Sequence, residues 1–98
     1  MPTELRVEKS DEFLEWVDSV DDVVARVAIF RRIDRLAAGN PGDFGPVGAG
    51  VSELRVHVGA GWRVYYVRRN DAYVLLWGGS KRTQDRDIAR AQALALEV

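Results

Sequence analysis

Apolar positions recur along this chain in two rhythms. Alternation, the mark of a strand with one buried face, opens the chain at Glu4-Leu5-Arg6-Val7-Glu8 and returns over Glu53–Val58, Trp62–Arg68 and Ala72–Trp77. The helical rhythm of i, i+3, i+4 and i+7 fills the space between. Phe13, Trp16, Val17 and Val20 form one stripe behind Ser10, a natural N-cap with Asp11 and Glu12 in its first turn. After a break at Ser19 or Asp21, Val23, Val24, Val27, Phe30, Ile33 and Leu36-Ala37 form a longer stripe, which Gly39-Asn40-Pro41 ends. The two read as a helical hairpin with Arg26, Arg31, Arg32 and Arg35 on solvated faces. Residues 39–50, with five glycines and two prolines, read as a loop. Thr83 caps a last, alanine-rich helix through Ile88, Ala91, Leu94 or Ala95, and Leu96, with Asp85 and Asp87 as partners of its dipole.

Strand, two helices, three antiparallel strands and a helix define an α+β domain over 1–98: N-terminal strand, helical hairpin, three-stranded antiparallel meander, C-terminal helix. The meander organises it. Gly59-Ala60-Gly61 supplies a hairpin turn, and Arg69-Asn70-Asp71 the next. A three-residue turn at 59–61 pairs Val56 with Val64, Arg55 with Tyr65, and His57 with Arg63. Leu54, Val56, Val64, Tyr66 and Leu75 then face the helices, and Tyr73 and Trp77 share the face of Leu75. Glu53, Arg55, His57, Arg63 and Tyr65 take the other face. Unneutralised charges do not face a core, so that side is expected to be open to solvent and suited to an anion.

Composition narrows the chemistry. A chain of 98 residues, 47% hydrophobic and 30% charged, is one ordinary globular domain. It has no cysteine, so disulfides and thiolate metal sites are excluded. No secretory signal or membrane-length apolar run is visible, and a cytoplasmic location is expected. The net charge of −1 argues against nonspecific nucleic-acid binding, but its distribution is uneven. Residues 1–50 carry 6 Lys/Arg against 10 Asp/Glu, and residues 51–98 carry 8 against 5. From Leu54 to Arg82 there are 6 basic residues and 1 acidic one.

A phosphodiester is the natural target of such a face. Cleaving RNA through its 2′-OH requires a base, an acid and cations on the pentavalent phosphate, the last usually the largest contribution. Arg55, Arg63, Lys81 and Arg82 are the cations, Arg offering a planar fork and Lys a mobile point charge. Gly78-Gly79 would give Lys81 and Arg82 a flexible approach. Tyr65 is a phosphate donor or proton-transfer group if neighbouring cations lower its pKa. His57, the single histidine, suits acid–base work but is read as a solvated strand residue. Surface salt bridges to Glu53 or Asp71 are the plainer role for the arginines. No metal-ligand spacing, nucleophile elbow, P-loop or dinucleotide fingerprint occurs, so neither metal nor cofactor is expected.

Four stretches together carry a family resemblance. They are Arg35-Leu36 with Gly39-Asn40-Pro41-Gly42-Asp43, then Val47-Gly48-Ala49-Gly50-Val51-Ser52-Glu53-Leu54-Arg55, then Gly59-Ala60-Gly61-Trp62-Arg63-Val64-Tyr65-Tyr66, and Leu75-Leu76-Trp77-Gly78-Gly79-Ser80-Lys81-Arg82-Thr83-Gln84. In their order and spacing the chain resembles toxins of the RelE/ParE superfamily, in particular the HigB-like, phage-derived addiction-module killer proteins. The resemblance implies a type II toxin–antitoxin toxin, an mRNA endoribonuclease acting at the ribosome and inhibiting translation. It implies a site at Arg55, Arg63, Tyr65, Lys81 and Arg82. It also implies a neighbouring antitoxin, typically a helix-turn-helix protein, held in a hetero-oligomer. The superfamily also contains gyrase-binding toxins without RNase chemistry, and an inactive antitoxin-binding module is a third reading.

Overall fold

The computed structural model describes residues 5–98. Strand β1 (Arg6–Lys9) leads into α1 (Asp11–Asp18) and α2 (Val23–Ala37). Strands β2 (Phe44–Gly48), β3 (Val51–Val56), β4 (Trp62–Arg69) and β5 (Ala72–Ser80) follow. A 3-10 turn at Lys81–Thr83 then opens α3 (Gln84–Ala95). The five strands form one sheet in the order β1-β5-β4-β3-β2, antiparallel except for β1 beside β5. The α+β fold is the expected one, with two additions. Of the first strand's expected span, Glu4 lies outside the described residues.

The first addition is β2. Residues 44–48, expected as loop, form an edge strand paired with β3, and Gly48-Ala49-Gly50, all at positive φ, makes the turn. A proline is tolerated there because an edge strand leaves one side of its backbone unpaired. Gly45 has a packing reason as well: a Cβ there would press on the Arg55 guanidinium.

The second concerns the faces. Helices α1 and α2 cover one side through Phe13, Trp16, Val17, Val20, Ala25, Ile29, Ile33 and Leu36. These meet Leu54, Val56, Val64, Tyr66 and Leu75. The other side, expected to be open, lies under α3. Ala91 and Ala95 bring that helix close to Val51, Tyr65, Val67, Val74 and Leu76. The molecule is therefore a three-layer sandwich. Ser10 caps α1 as expected, accepting from the Phe13 N–H at 3.0 Å. Helix α2 is capped by Asp22 and not by Asp21, through the Ala25 N–H at 3.1 Å. Thr83, at the N-cap position of α3, makes no capping bond and gives its hydroxyl to Asp87 instead.

Three details differ from the sequence reading. The buried stripe of α2 is Ala25, Ile29, Ile33 and Leu36. Val23, Val24, Val27 and Phe30 lie exposed on the adjoining face. The β3–β4 hairpin pairs Val56 with Trp62, Arg55 with Arg63 and Glu53 with Tyr65, two residues away from the expected register. His57 and Val58 leave the ladder, lengthening the turn to residues 57–61. Finally, the β4–β5 register slips at Leu76, since Tyr65 faces Trp77 while Tyr66 faces Leu75. This bulge turns Trp77 away from the face of Leu75 and toward α3, where its indole N–H donates to Asp87 at 3.1 Å.

Candidate functional site

Arg55 and Arg63 are direct cross-strand partners, so their side chains share the α3 face. A slip of two residues preserves parity. That face is not a bare array of cations. Glu53, two residues before Arg55 on the same strand, is buried between them. Its Oε2 accepts from Arg55 Nε at 3.2 Å, its Oε1 lies 3.3 Å from Arg63 Nε, and Oε1 also accepts from the Gln84 amide at 2.9 Å. The Arg63–Glu53 contact is an ion pair without a well-aligned hydrogen bond: Arg63 Nε is buried and finds no aligned acceptor. Side-chain exposure is 10% for Arg63 and 5% for Glu53, so each charge depends on the other.

Arg55 is half-turned to solvent and holds a second carboxylate, with Nη1 donating to Asp43 Oδ1 at 2.7 Å. The other oxygen of Asp43 lies 2.6 Å from His57 Nε2. Asp43 thus fastens the start of β2 to both residues, helped by its backbone carbonyl, which accepts from Arg55 N at 3.0 Å and Arg32 Nη2 at 2.9 Å. The His57 hydrogen bond, then that of Arg55, holds the Asp43 carboxyl below the usual aspartate range. Asp43 raises Arg55 in return.

Tyr65 was expected on an exposed face and is fully buried, and its hydroxyl has no partner. Burial, then the nearby Glu53 carboxylate, raises its pKa far above that of an ordinary tyrosine. This is the opposite of the lowering that proton transfer would need. Asp87, read from the sequence as a dipole partner, is buried too and accepts from Trp77 and from Thr83 Oγ1. The two glycines before Lys81 are packing residues, not a flexible approach. They lie buried within β5, where a Cβ on Gly78 would overlap the Trp16 ring and one on Gly79 would overlap the Asp87 carboxylate.

Lys81 and Arg82 are exposed, as expected. The Lys81 N–H donates to Gly61 O at 2.7 Å, so the 3-10 turn is fixed against the β3–β4 hairpin. This places Lys81 with His57, residues 58–61 and Arg63 around a shallow cleft of about 470 Å³. Lys81 also begins a second cleft, of about 450 Å³, that continues along Arg82 and residues 83–86. The cations here gather at the positive end of α3, where they gain nothing from the helix dipole. Together with that dipole they make a rim that attracts anions.

The structure therefore brings Arg63 and Lys81 to one cleft and leaves Arg82 beside it. Arg55 is one pairing step away, and Tyr65 lies inside. His57 belongs to the rim on equal terms with Lys81. Asp43 and Glu53, which orient it and its neighbours, were absent from the expected site. Glu53 was discoverable, since parity put it on the face of Arg55. Asp43 was hidden in the segment read as loop. Among the described residues, no group of His, Asp and Glu is arranged to hold a metal ion, and no helix is long and apolar enough to cross a membrane.

The three-layer α+β fold that carries this rim is shared with solved structures. A toxin from Helicobacter pylori, solved as a copper-bound mutant, shares the fold with a TM-score of 0.61 at 19% identity, over 80% of this chain and 96% of that one. The solution structure of a conserved hypothetical protein from the same organism aligns over the same shares with a TM-score of 0.52, also at 19% identity. The RelE-like fold expected from the sequence is thus the fold observed. No family model matches. The chain belongs to the family of an uncharacterized protein from Haemophilus influenzae, to which it is 40% identical over 95 residues, 96% of either chain.

Proposed function

We propose that this protein is the toxin of a toxin–antitoxin pair and an endoribonuclease that cuts mRNA on the ribosome through its 2′-OH. The observation that carries the reading is the joint placement of His57, Arg63 and Lys81 around one cleft, with Arg82 beside it. Lys81 and Arg82 neutralise the scissile phosphate. Arg63, oriented by Glu53, directs its guanidinium to the same place, and Arg55 holds Asp43 and adds to the field. His57, steadied by Asp43, takes the proton of the attacking 2′-OH. The 2′ oxygen bonds to phosphorus as the bond to the 5′ oxygen breaks, and Lys81 delivers a proton to that oxygen. The products are a 2′,3′-cyclic phosphate and a 5′-hydroxyl end. Tyr65 lies buried in the core and exchanges no proton.

The resemblance and the shared fold support an antitoxin encoded beside the gene, a helix-turn-helix protein in the HigB-like arrangement. Expression without it should stop growth and create discrete mRNA ends that carry 5′-hydroxyls. Growth arrest with intact mRNA and trapped gyrase–DNA complexes would assign the chain to the non-enzymatic toxins. Undisturbed growth at full expression of folded protein would leave an inactive binding module.

A further inference from the structure

The segment from Leu76 to Thr83 departs from regular structure three times, and all three departures meet at Asp87. The bulge at Leu76 turns Trp77 toward α3, where its indole N–H donates to Asp87 Oδ1 at 3.1 Å. Gly79 lacks a side chain where a Cβ would press on both the Asp87 carboxylate and the Thr83 hydroxyl. Thr83 stands at the head of α3 without capping it, and donates its hydroxyl to Asp87 Oδ2. Asp87 is only 4% exposed, and a buried carboxylate is costly unless its oxygens are bonded. Arg86 Nε, 4.0 Å away on an exposed side chain, is too distant for a hydrogen bond. The helix dipole does not explain the burial either, because exposed Asp85 already complements it from the same turn.

What Asp87 and Thr83 fix is the 3-10 turn. Thr83 follows Lys81 and Arg82 directly, and its hydroxyl also lies 3.5 Å from the Ser80 carbonyl at the head of the turn. The next residue, Gln84, donates to Glu53, the carboxylate that orients Arg63. At the other end, the Lys81 N–H is held by Gly61 O at 2.7 Å. The side chains of Lys81 and Arg82 are exposed, so their direction follows from the backbone that carries them. We infer that Asp87, acting through Thr83, is a positioning residue that aims Lys81 and Arg82 at the phosphate that Arg63 faces. For the chemistry this rests on the endoribonuclease reading; the fastening of the turn does not. A displacement of about 1 Å in such a group can lower a rate on the order of a hundredfold.

The test uses Thr83, which is half-buried, because replacing buried Asp87 would disturb the core itself. Thr83→Val keeps the shape and removes the hydroxyl, whereas Thr83→Ser keeps the hydroxyl. Both purified variants, beside wild type, are read for cleavage of mRNA on programmed ribosomes and for amide hydrogen exchange. Thr83→Val should lower kcat about tenfold or more and move KM less than about twofold, because the lost aim is felt in the transition state. Thr83→Ser should rescue the rate. The Lys81 amide should exchange about tenfold faster in Thr83→Val, while the slowest amides of β4 keep their rates. A wild-type kcat in Thr83→Val, a change confined to KM, or a serine variant as impaired as the valine one would each overturn the inference. So would an unchanged Lys81 amide, or faster exchange spread evenly over Lys81 and β4, the mark of a role in stability alone. Wild type that leaves RNA uncut removes the endoribonuclease reading, and the Lys81 amide then decides the inference by itself.

Discussion

Arg63 is the residue to perturb first, because its replacement tests whether the cation face is built on a carboxylate. Arg63→Met keeps most of the aliphatic stem and removes the charge. Glu53, at 5% exposure, then retains Arg55 at 3.2 Å and the Gln84 amide at 2.9 Å. With those partners left, the loss should be about 2 kcal/mol, below the roughly 3–5 kcal/mol of a fully orphaned buried charge. Glu53→Gln strands Arg63 instead and should cost a similar amount, about 2 kcal/mol. The double replacement leaves no lone charge and should lose only about 1–1.5 kcal/mol, a coupling of roughly 2.5–3 kcal/mol. Urea unfolding reads this directly: at a slope of about 1 kcal/mol/M, each single variant moves the midpoint by roughly 2 M. Single losses that simply add in the double variant would refute the reasoning. The same cycle shows why loss of activity in Arg63→Ala is ambiguous by itself: the substitution removes the proposed phosphate ligand and also unbalances the interior.

Other expectations follow from the same geometry. Tyr65→Phe removes a buried hydroxyl without a partner, so stability should hold or rise by up to about 1 kcal/mol and RNA cleavage should persist. Loss of cleavage in that folded variant would return Tyr65 to the chemistry. Gly79→Ala places a methyl group into the Asp87 carboxylate and should cost about 1–3 kcal/mol of overpacking, a fall in thermal midpoint of roughly 5–20 °C. An unchanged midpoint would mean that α3 does not pack as described. Asp43, held low by His57 and Arg55, should titrate by carboxyl NMR below the ordinary value of about 3.9, and move up in His57→Gln. Because its folded pKa is depressed, its contribution to stability is complete above the unfolded value. That contribution is lost as pH falls through the folded one. Titration alongside ordinary aspartates would contradict the His57–Asp43–Arg55 cluster.

The parity of the central hairpin was legible because alternation in β3 and β4 is strong, and parity survives an even slip in register. Turn length was not, since the early departure of His57 and Val58 from the ladder leaves no mark in composition. In α2 the apolar period was visible but its phase was not: two stripes share Ile33 and Leu36, and only packing selects the one that begins at small Ala25. Strand β2 was masked by Pro46 and its glycines, although Gly45 is there to make room for Arg55. The cover that α3 lays over the arginine face was hardest to see. Alanines give a weak stripe, and their value lies in the close approach they permit. Buried Glu53 follows from that cover, because arginines brought under a helix need a counter-charge.

The central claim is that exposed cations at the mouth of the β3–β4 turn act on RNA. Lys81→Ala with Arg82→Ala tests it most directly, since both side chains are exposed and neither is needed by the core. The measurement is the rate at which the purified double variant, beside wild type, cuts mRNA on programmed ribosomes, with thermal midpoints compared. The account predicts an unchanged midpoint and a loss of cleavage of about a hundredfold or more, with 5′-hydroxyl ends in the wild-type reaction alone. A folded double variant that cuts at the wild-type rate would contradict it.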